Sequence, residues 1–342
     1  MKKALLIAPL AVLALASCNK MDDPKVNPQI QNEMSFTPMS LTKGYSETDV
    51  FDFTPYENLH KAAGEKDIKA RTMQISAYLT PQNGEIGNYF VNKTYSQSVA
   101  GSTTWWNTNT VGGAHDPIYW PIGGTLDFLA YSFCEEKNIN VVWDENNAAS
   151  QVVMDVPGEN TQNDILFASA YGEKSRATLA PVKMTFNHAQ AWLEFQLTGN
   201  LDDDNKSIVH LVGIELQDIY NAGKLTINNN NGNATATWNF CKENTKDVMV
   251  DNTWKVKDLT EDVKFLDMLI PQQKKTSFVI YYTLGSDTQV LSYKFDTDLK
   301  TWLMGEKYIY KINITTSEVT VEPIVKEWKD VPEYTTTPGE MI

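Results

Sequence analysis

Four histidines, His60, His115, His188 and His210, are the side chains best suited to moving a proton near neutral pH or to binding a metal. No two of them stand at metal-ligand spacing, and neither an HExxH pattern nor paired cysteines accompany them. His188, in Phe186-Asn187-His188-Ala189, lies in a strand-like segment and reads as a packed, hydrogen-bonded residue rather than a base. Asp202-Asp203-Asp204-Asn205 has the carboxylates of a calcium loop without the Gly and closing Glu of an EF-hand, so it reads as a solvated turn. Glu135-Glu136 offers two acids, but nothing places a pair across a cleft as glycoside hydrolysis requires. The expectation is an absence of catalytic, cofactor and metal residues, in a chain that is not an enzyme.

The remaining chemistry is at Cys18. Lys2 and Lys3 precede an apolar stretch from Ala4 to Ala16 that ends in Leu15-Ala16-Ser17-Cys18. A basic start, a short apolar run and small residues before a fixed Cys are what export followed by lipoprotein signal peptidase needs. The run is too short to span a bilayer, which takes roughly 20 apolar residues. Residues 1–17 therefore read as a lipoprotein signal peptide, with Cys18 lipidated on its thiol and amine. Residues 18–32 are polar and proline-containing, with Asp22 and Asp23 close behind the Cys, and read as a tether. No second apolar run approaches membrane-spanning length, so the lipid is the expected membrane attachment.

Removing 17 leader residues from 342 leaves 325, enough for two domains that each bury a core. The net charge of −14 becomes about −16 once Lys2 and Lys3 are gone, which excludes a basic footprint for nucleic acid. Cys134 and Cys241 stand far apart and read as two buried free thiols rather than a disulfide framework.

Period-two alternation and β-branched or aromatic runs place strands at Met73–Leu79, Val152–Val156, Ala191–Leu197, Phe278–Leu284, Tyr308–Ile314 and Val319–Val321. Ala191, Leu193, Phe195 and Leu197 share one strand face, and so do Tyr308, Tyr310, Ile312 and Ile314, whose opposite face carries Lys311 and Asn313. One wet face points to antiparallel sheets. Helical signal is confined to Thr48–Ala63 and Leu259–Asp267, and neither repeats at 3.6 residues. Asn228–Asn233 reads as a hairpin tip. The expected class is all-β, with sandwiches favoured over barrels and a domain border near Pro181.

Aromatic residues supply an alternative function, a surface lipoprotein that binds polysaccharide. Trp105-Trp106, Tyr119-Trp120, Tyr281-Tyr282 and Trp302 could stack on sugar rings. Trp120 precedes the apolar Leu126–Tyr131 run, where a large ring fills a core. Adjacent Trp105 and Trp106 must point to opposite faces of a strand, so burying one exposes the other.

Taken together, Tyr119-Trp120-Pro121, Leu126-Asp127-Phe128-Leu129-Ala130-Tyr131, Asp164-Ile165-Leu166-Phe167-Ala168, Phe186-Asn187-His188-Ala189, Leu269-Ile270-Pro271-Gln272 and Trp302–Ile312 resemble the fimbrillins of Bacteroidales, the Mfa-like branch of type V pilus subunits. The resemblance implies two tandem transthyretin-like antiparallel β-sandwich domains, here residues 33–180 and 181–342. It implies a fimbrial subunit exposed on the outer membrane, supporting adhesion and biofilm formation, with no obligatory cofactor. Its partners would be other fimbrial subunits, a processing protease, the outer membrane through the lipid, and a host or bacterial surface receptor.

It also implies assembly by donor-strand exchange. A sandwich that gives up its first strand exposes unpaired backbone groups and apolar pockets, which another subunit's strand can fill. Met34-Ser35-Phe36 and Met39-Ser40-Leu41 could form the detachable strand, within a first-strand-and-loop segment spanning 33–71. Arg71, one of two arginines beside Arg176, is the preferred cut site, with Lys43 and Lys69 as alternatives. The donor would lie within 319–342, where Val319, Val321, Ile324, Val325 and Trp328 are apolar. Pro323 interrupts the run and removes a ladder donor, and the polar end of the chain leaves stalk, tip and anchor positions open.

Overall fold

The computed structural model describes residues 33–40, 72–81, 87–97, 104–111, 113–121, 123–132, 140–142, 151–157, 165–173, 180–199, 209–220, 222–230, 233–240, 245–250, 257–259, 263–269, 271–272, 276–285, 289–296, 301–315 and 317–327. Among the described residues there is no helix, so the fold is all-β.

The first strands are β1 (Ser35–Ser40), β2 (Met73–Thr80), β3 (Gly87–Gln97), β4 (Trp105–Asn107), β5 (Thr110–Val111), β6 (Ala114–His115), β7 (Thr125–Ser132), β8 (Asn140–Val142), β9 (Gln151–Pro157), β10 (Leu166–Glu173) and β11 (Val182–His188). They continue as β12 (Ala191–Gly199), β13 (Val209–Tyr220), β14 (Ala222–Asn230), β15 (Asn233–Phe240), β16 (Thr245–Met249), β17 (Lys257–Asp258), β18 (Val263–Leu269), β19 (Ser277–Leu284), β20 (Leu291–Asp296), β21 (Glu306–Ile314) and β22 (Val319–Glu327). Each strand expected from periodicity falls inside one of these. The helical hint at Leu259–Asp267 gives way to β18, which pairs along its whole length with β12. The hint at Thr48–Ala63 lies outside the described residues.

Seven strands close a barrel in the order β1-β11-β10-β7-β2-β3-β4, with β4 returning to β1. Alternation fills it: Met73, Ile75 and Ala77 of β2 and Val182, Met184 and Phe186 of β11 are buried inward. Beyond the barrel, a sheet in the order β18-β12-β21-β22 packs face to face on one in the order β16-β13-β19-β20. Their inner faces meet where the Phe278 ring lies 5.2 Å from Phe195 and 5.0 Å from Tyr310. The antiparallel expectation holds for most ladders but not all. β1 runs parallel to β11, and β12 runs parallel to β21. Each of these pairs is far apart in sequence, which leaves ample chain for the crossover a parallel pair needs.

A third sheet, β15-β14-β9-β8, lies over the outer face of β7 and β10. It buries Leu129, Tyr131 and Phe167 against Met154, Leu225 and Trp238. The indole of Trp238 donates to the Ala189 carbonyl at 2.7 Å within this layer. The hairpin tip read at Asn228–Asn233 is the β14–β15 connection, with Asn230 opposite Asn233. The chain crosses Pro181 in both directions: β11, which follows it, is a barrel strand, and β9, which precedes it, pairs with β14, which follows it.

Candidate functional site

Strand β1 is what closes the barrel, and its sequence explains why it fits there. In Glu33-Met34-Ser35-Phe36-Thr37-Pro38, alternate residues Met34, Phe36 and Pro38 turn inward. Met34 and Phe36 retain no exposure. The Phe36 ring meets Tyr95 and Phe128 edge to face at 4.8 and 5.1 Å, so it occupies a pocket made by aromatic residues of β3 and β7. Burying side chains of this size stabilises by roughly 1.5–3 kcal/mol each.

The backbone of β1 is paired on both sides. Against β11 the register runs from Phe36–Val182 through Thr37–Lys183 and Pro38–Met184 to Ser40–Phe186. Against β4 it covers Ser35–Trp106 and Phe36–Trp105 only. Pro38 therefore sits beyond the end of the β4 ladder, where its missing N–H removes no bond on that side.

A stitched flap holds the entry to the strand. The Met34 N–H donates to the Ile118 carbonyl at 2.8 Å, and Glu33 forms an isolated bridge with Tyr119. The Tyr89 hydroxyl donates to the Tyr119 carbonyl at 2.7 Å. His115 Nε2 lies 2.7 Å from Glu33 Oε1, a carboxylate whose side chain is only 10% exposed. Buried Asn107 donates to the Asp116 carbonyl, and its Oδ1 accepts from the Asn109 N–H at 3.0 Å, which ties the flap to the end of β4.

Inside the barrel, the Tyr95 hydroxyl is buried with no hydrogen-bond partner. Burial first, and then the nearby negative charge of Glu33, push its pKa far above the ordinary phenol range.

Of the residues proposed for processing and exchange, Cys18, Lys43, Lys69, Arg71 and Trp328 lie outside the described residues, as do His60, Cys134, Cys241, Arg176, Glu135-Glu136 and Asp202–Asn205. Val319, Val321, Ile324 and Val325 all lie on β22, which ends its sheet and pairs with β21 from Glu306–Glu327 to Ile314–Val319. Val319 and Val321 are half-buried against the sandwich core, and Val325 is 43% exposed. A strand held by one ladder with half-covered side chains is much less committed than β1, which has two ladders and a filled pocket.

The described histidines are dispersed. His115 pairs with Glu33, His188 is buried at the end of β11, and His210 Nε2 lies 3.0 Å from the Gly285 carbonyl. Among the described residues no three His, Cys, Asp or Glu side chains gather as a metal site. The aromatic residues considered for sugars are mostly structural: Trp105 and Trp302 are buried, and Trp120 packs against Phe128 at 6.0 Å. Trp106 is half-buried beside Trp105, as the alternation requires. Sequence reasoning missed Glu33, Tyr95, Asn107 and the role of His115. The polar Glu33 directly before an alternating apolar strand was the one available signal.

A profile of the fimbrillin-like family matches residues 61–328. Solved structures similar to this chain include a fimbrial protein from Bacteroides vulgatus, at 15% identity over 86% of this chain and 99% of that one, with a TM-score of 0.49. A fimbrial assembly protein from Parabacteroides distasonis matches at 12% identity over 86% and 95%, with a TM-score of 0.40. The tip fimbrial protein Mfa3 from Porphyromonas gingivalis matches at 11% identity over 76% and 95%, with a TM-score of 0.38. No curated protein matches the chain.

Proposed function

Because the chain belongs to the fimbrillin-like family, we propose that it is a subunit of a cell-surface fimbria, assembled by strand exchange after proteolysis and serving adhesion and biofilm formation. The carrying observation is that the barrel is closed by its first strand, β1, which is joined to β2 by a connection containing Lys43, Lys69 and Arg71. One cut in that connection frees β1 from the body. Its loss would leave the edges of β4 and β11 unpaired and the Phe36 pocket empty, a combination that favours addition of a foreign strand.

In this reading Cys18 carries the lipid that delivers the subunit to the outer membrane. The barrel, which includes β11, and the sandwich correspond to the two tandem transthyretin-like domains, with their border after Pro181, at the end of β11. A strand of a second subunit replaces β1, and the subunit's own C-terminal segment serves the next one. The protein acts through assembly, not catalysis.

The test is brief digestion with a trypsin-like protease, followed by N-terminal sequencing and size-exclusion chromatography. The expected result is a new N-terminus at Thr72, or after Lys43 or Lys69, on a folded core that forms ladders of oligomers while uncut protein stays monomeric. Trimmed protein that remains folded and monomeric at high concentration would overturn the reading.

A further inference from the structure

The first and last described strands carry the same pattern. Glu33-Met34-Ser35-Phe36-Thr37-Pro38 and Glu318-Val319-Thr320-Val321-Glu322-Pro323 align as Glu, apolar, hydroxyl, apolar, polar, Pro, and both continue with an apolar residue, Met39 and Ile324. The other prolines of the C-terminal segment do not complete it. Pro332 has Asp330 two residues before it, where Phe36 and Val321 stand in the pattern. Glu333-Tyr334-Thr335-Thr336-Thr337-Pro338 shares the beginning, but it brings the polar Thr336 to that apolar place and continues with Gly339.

We infer that Glu318–Ile324 of a second copy enters the barrel in the register of Glu33–Met39, so that β22 is the donor and its position is fixed residue by residue. This inference rests on the strand-exchange reading above. In that register Val319 and Val321 take the inward places of Met34 and Phe36, and Thr320 stands opposite Trp106 as Ser35 does. Pro323 takes the place of Pro38, beyond the end of the β4 ladder. The proline that spoils an ordinary central strand is thus suited to this groove.

Charge follows the same register. Glu318 reaches the position from which Glu33 contacts His115. Glu322 takes the place of Thr37, directly across from Lys183 on β11, on the outward face where Lys183 is exposed. At rest Glu322 stands across from Lys311 on β21, so detachment exchanges one basic neighbour for another. The donor also exchanges the single ladder of a sheet edge for ladders on two sides. Valine fills the Phe36 pocket less completely than phenylalanine, so β1 outcompetes β22 until proteolysis removes it.

The test uses polymers of the trimmed full-length subunit. Zero-length carbodiimide coupling followed by mass spectrometry should join Lys183 of one subunit to Glu322 of another. Lys183→Glu should slow assembly by about fivefold, as like charges facing across a ladder repel, and Glu322→Lys in the same chain should restore the rate. Polymers in which Lys183 couples instead to Glu318, Glu327 or Glu333, or in which the double variant stays as slow as Lys183→Glu, would overturn the register and leave strand exchange standing. Failure of trimmed wild-type protein to polymerise would overturn strand exchange itself.

Discussion

Tyr95 is a polar atom enclosed where the barrel has no use for it. Its hydroxyl is buried without a partner beside Phe36, and a buried unsatisfied group of this kind costs on the order of 1–3 kcal/mol. Tyr95→Phe should therefore raise the urea midpoint of the uncut protein, by an amount corresponding to about 1 kcal/mol. The pH dependence has a definite sign. Because burial, aided by Glu33, raises the folded-state pKa above the unfolded value of about 10, the folded state favours the protonated phenol. That contribution is fully present below pH about 10 and is lost as pH rises above it, because the unfolded chain then ionises. Tyr310 in the sandwich is raised for the same leading reason, burial, partly offset by the hydrogen bond it accepts from the Trp302 indole. Alkaline denaturation should accordingly be shallower for Tyr95→Phe than for the parent. An identical alkaline profile would show that Tyr95 is not the titrating group.

Strands differ in how firmly they are held, and that difference is what an exchange mechanism needs. β1 has neighbours on both sides and two large side chains sealed inside, whereas β22 is a sheet edge. Phe36→Ala would empty the pocket between Tyr95 and Phe128 and should cost about 3–5 kcal/mol of stability in uncut protein. After trimming, the same substitution should have no effect, because the residue has left with its strand. Guanidinium denaturation of both forms makes the comparison. A loss that persists after trimming would mean that β1 stays in the barrel. The Thr37–Ser40 end of β1 is bound more lightly, being paired with β11 beyond the end of the β4 ladder, which makes it the natural place for the strand to begin to peel.

Across the whole molecule, the layer formed by β8, β9, β14 and β15 draws strands from both sides of Pro181 and shares a core with the barrel. A second tie is Trp192, which sits on β12 of the sandwich yet is buried in the barrel core, with the Lys307 ammonium 4.6 Å over its ring. Lys307 Nζ also lies 2.6 Å from Glu194, whose side chain is 8% exposed. Halves joined by a shared sheet and a buried ring should unfold together. Urea transitions followed by tryptophan fluorescence and by far-ultraviolet circular dichroism should coincide in the uncut protein. Two separated transitions would show that the shared layer does not couple them. Separating the layer from the barrel would expose Leu129, Tyr131 and Phe167.

The sequence by itself determined where strands run and which side chains they turn inward, because strand periodicity is local. Tyr308, Tyr310, Ile312 and Ile314 were readable as one buried face, and Trp105 and Trp106 as a pair split between two faces. The repeated Glu-to-Pro pattern of β1 and β22 was present in the letters too, but without a fixed period nothing drew attention to it. Only the tertiary structure decided which strands are neighbours. Periodicity states which way a residue faces and carries no record of what it faces. The parallel pairing of β1 with β11, the barrel closure by β4, the contact of Glu33 with His115 and the burial of Trp192 all join residues distant in sequence. Their energies belong to pairs brought together by folding, so no single segment shows them in advance.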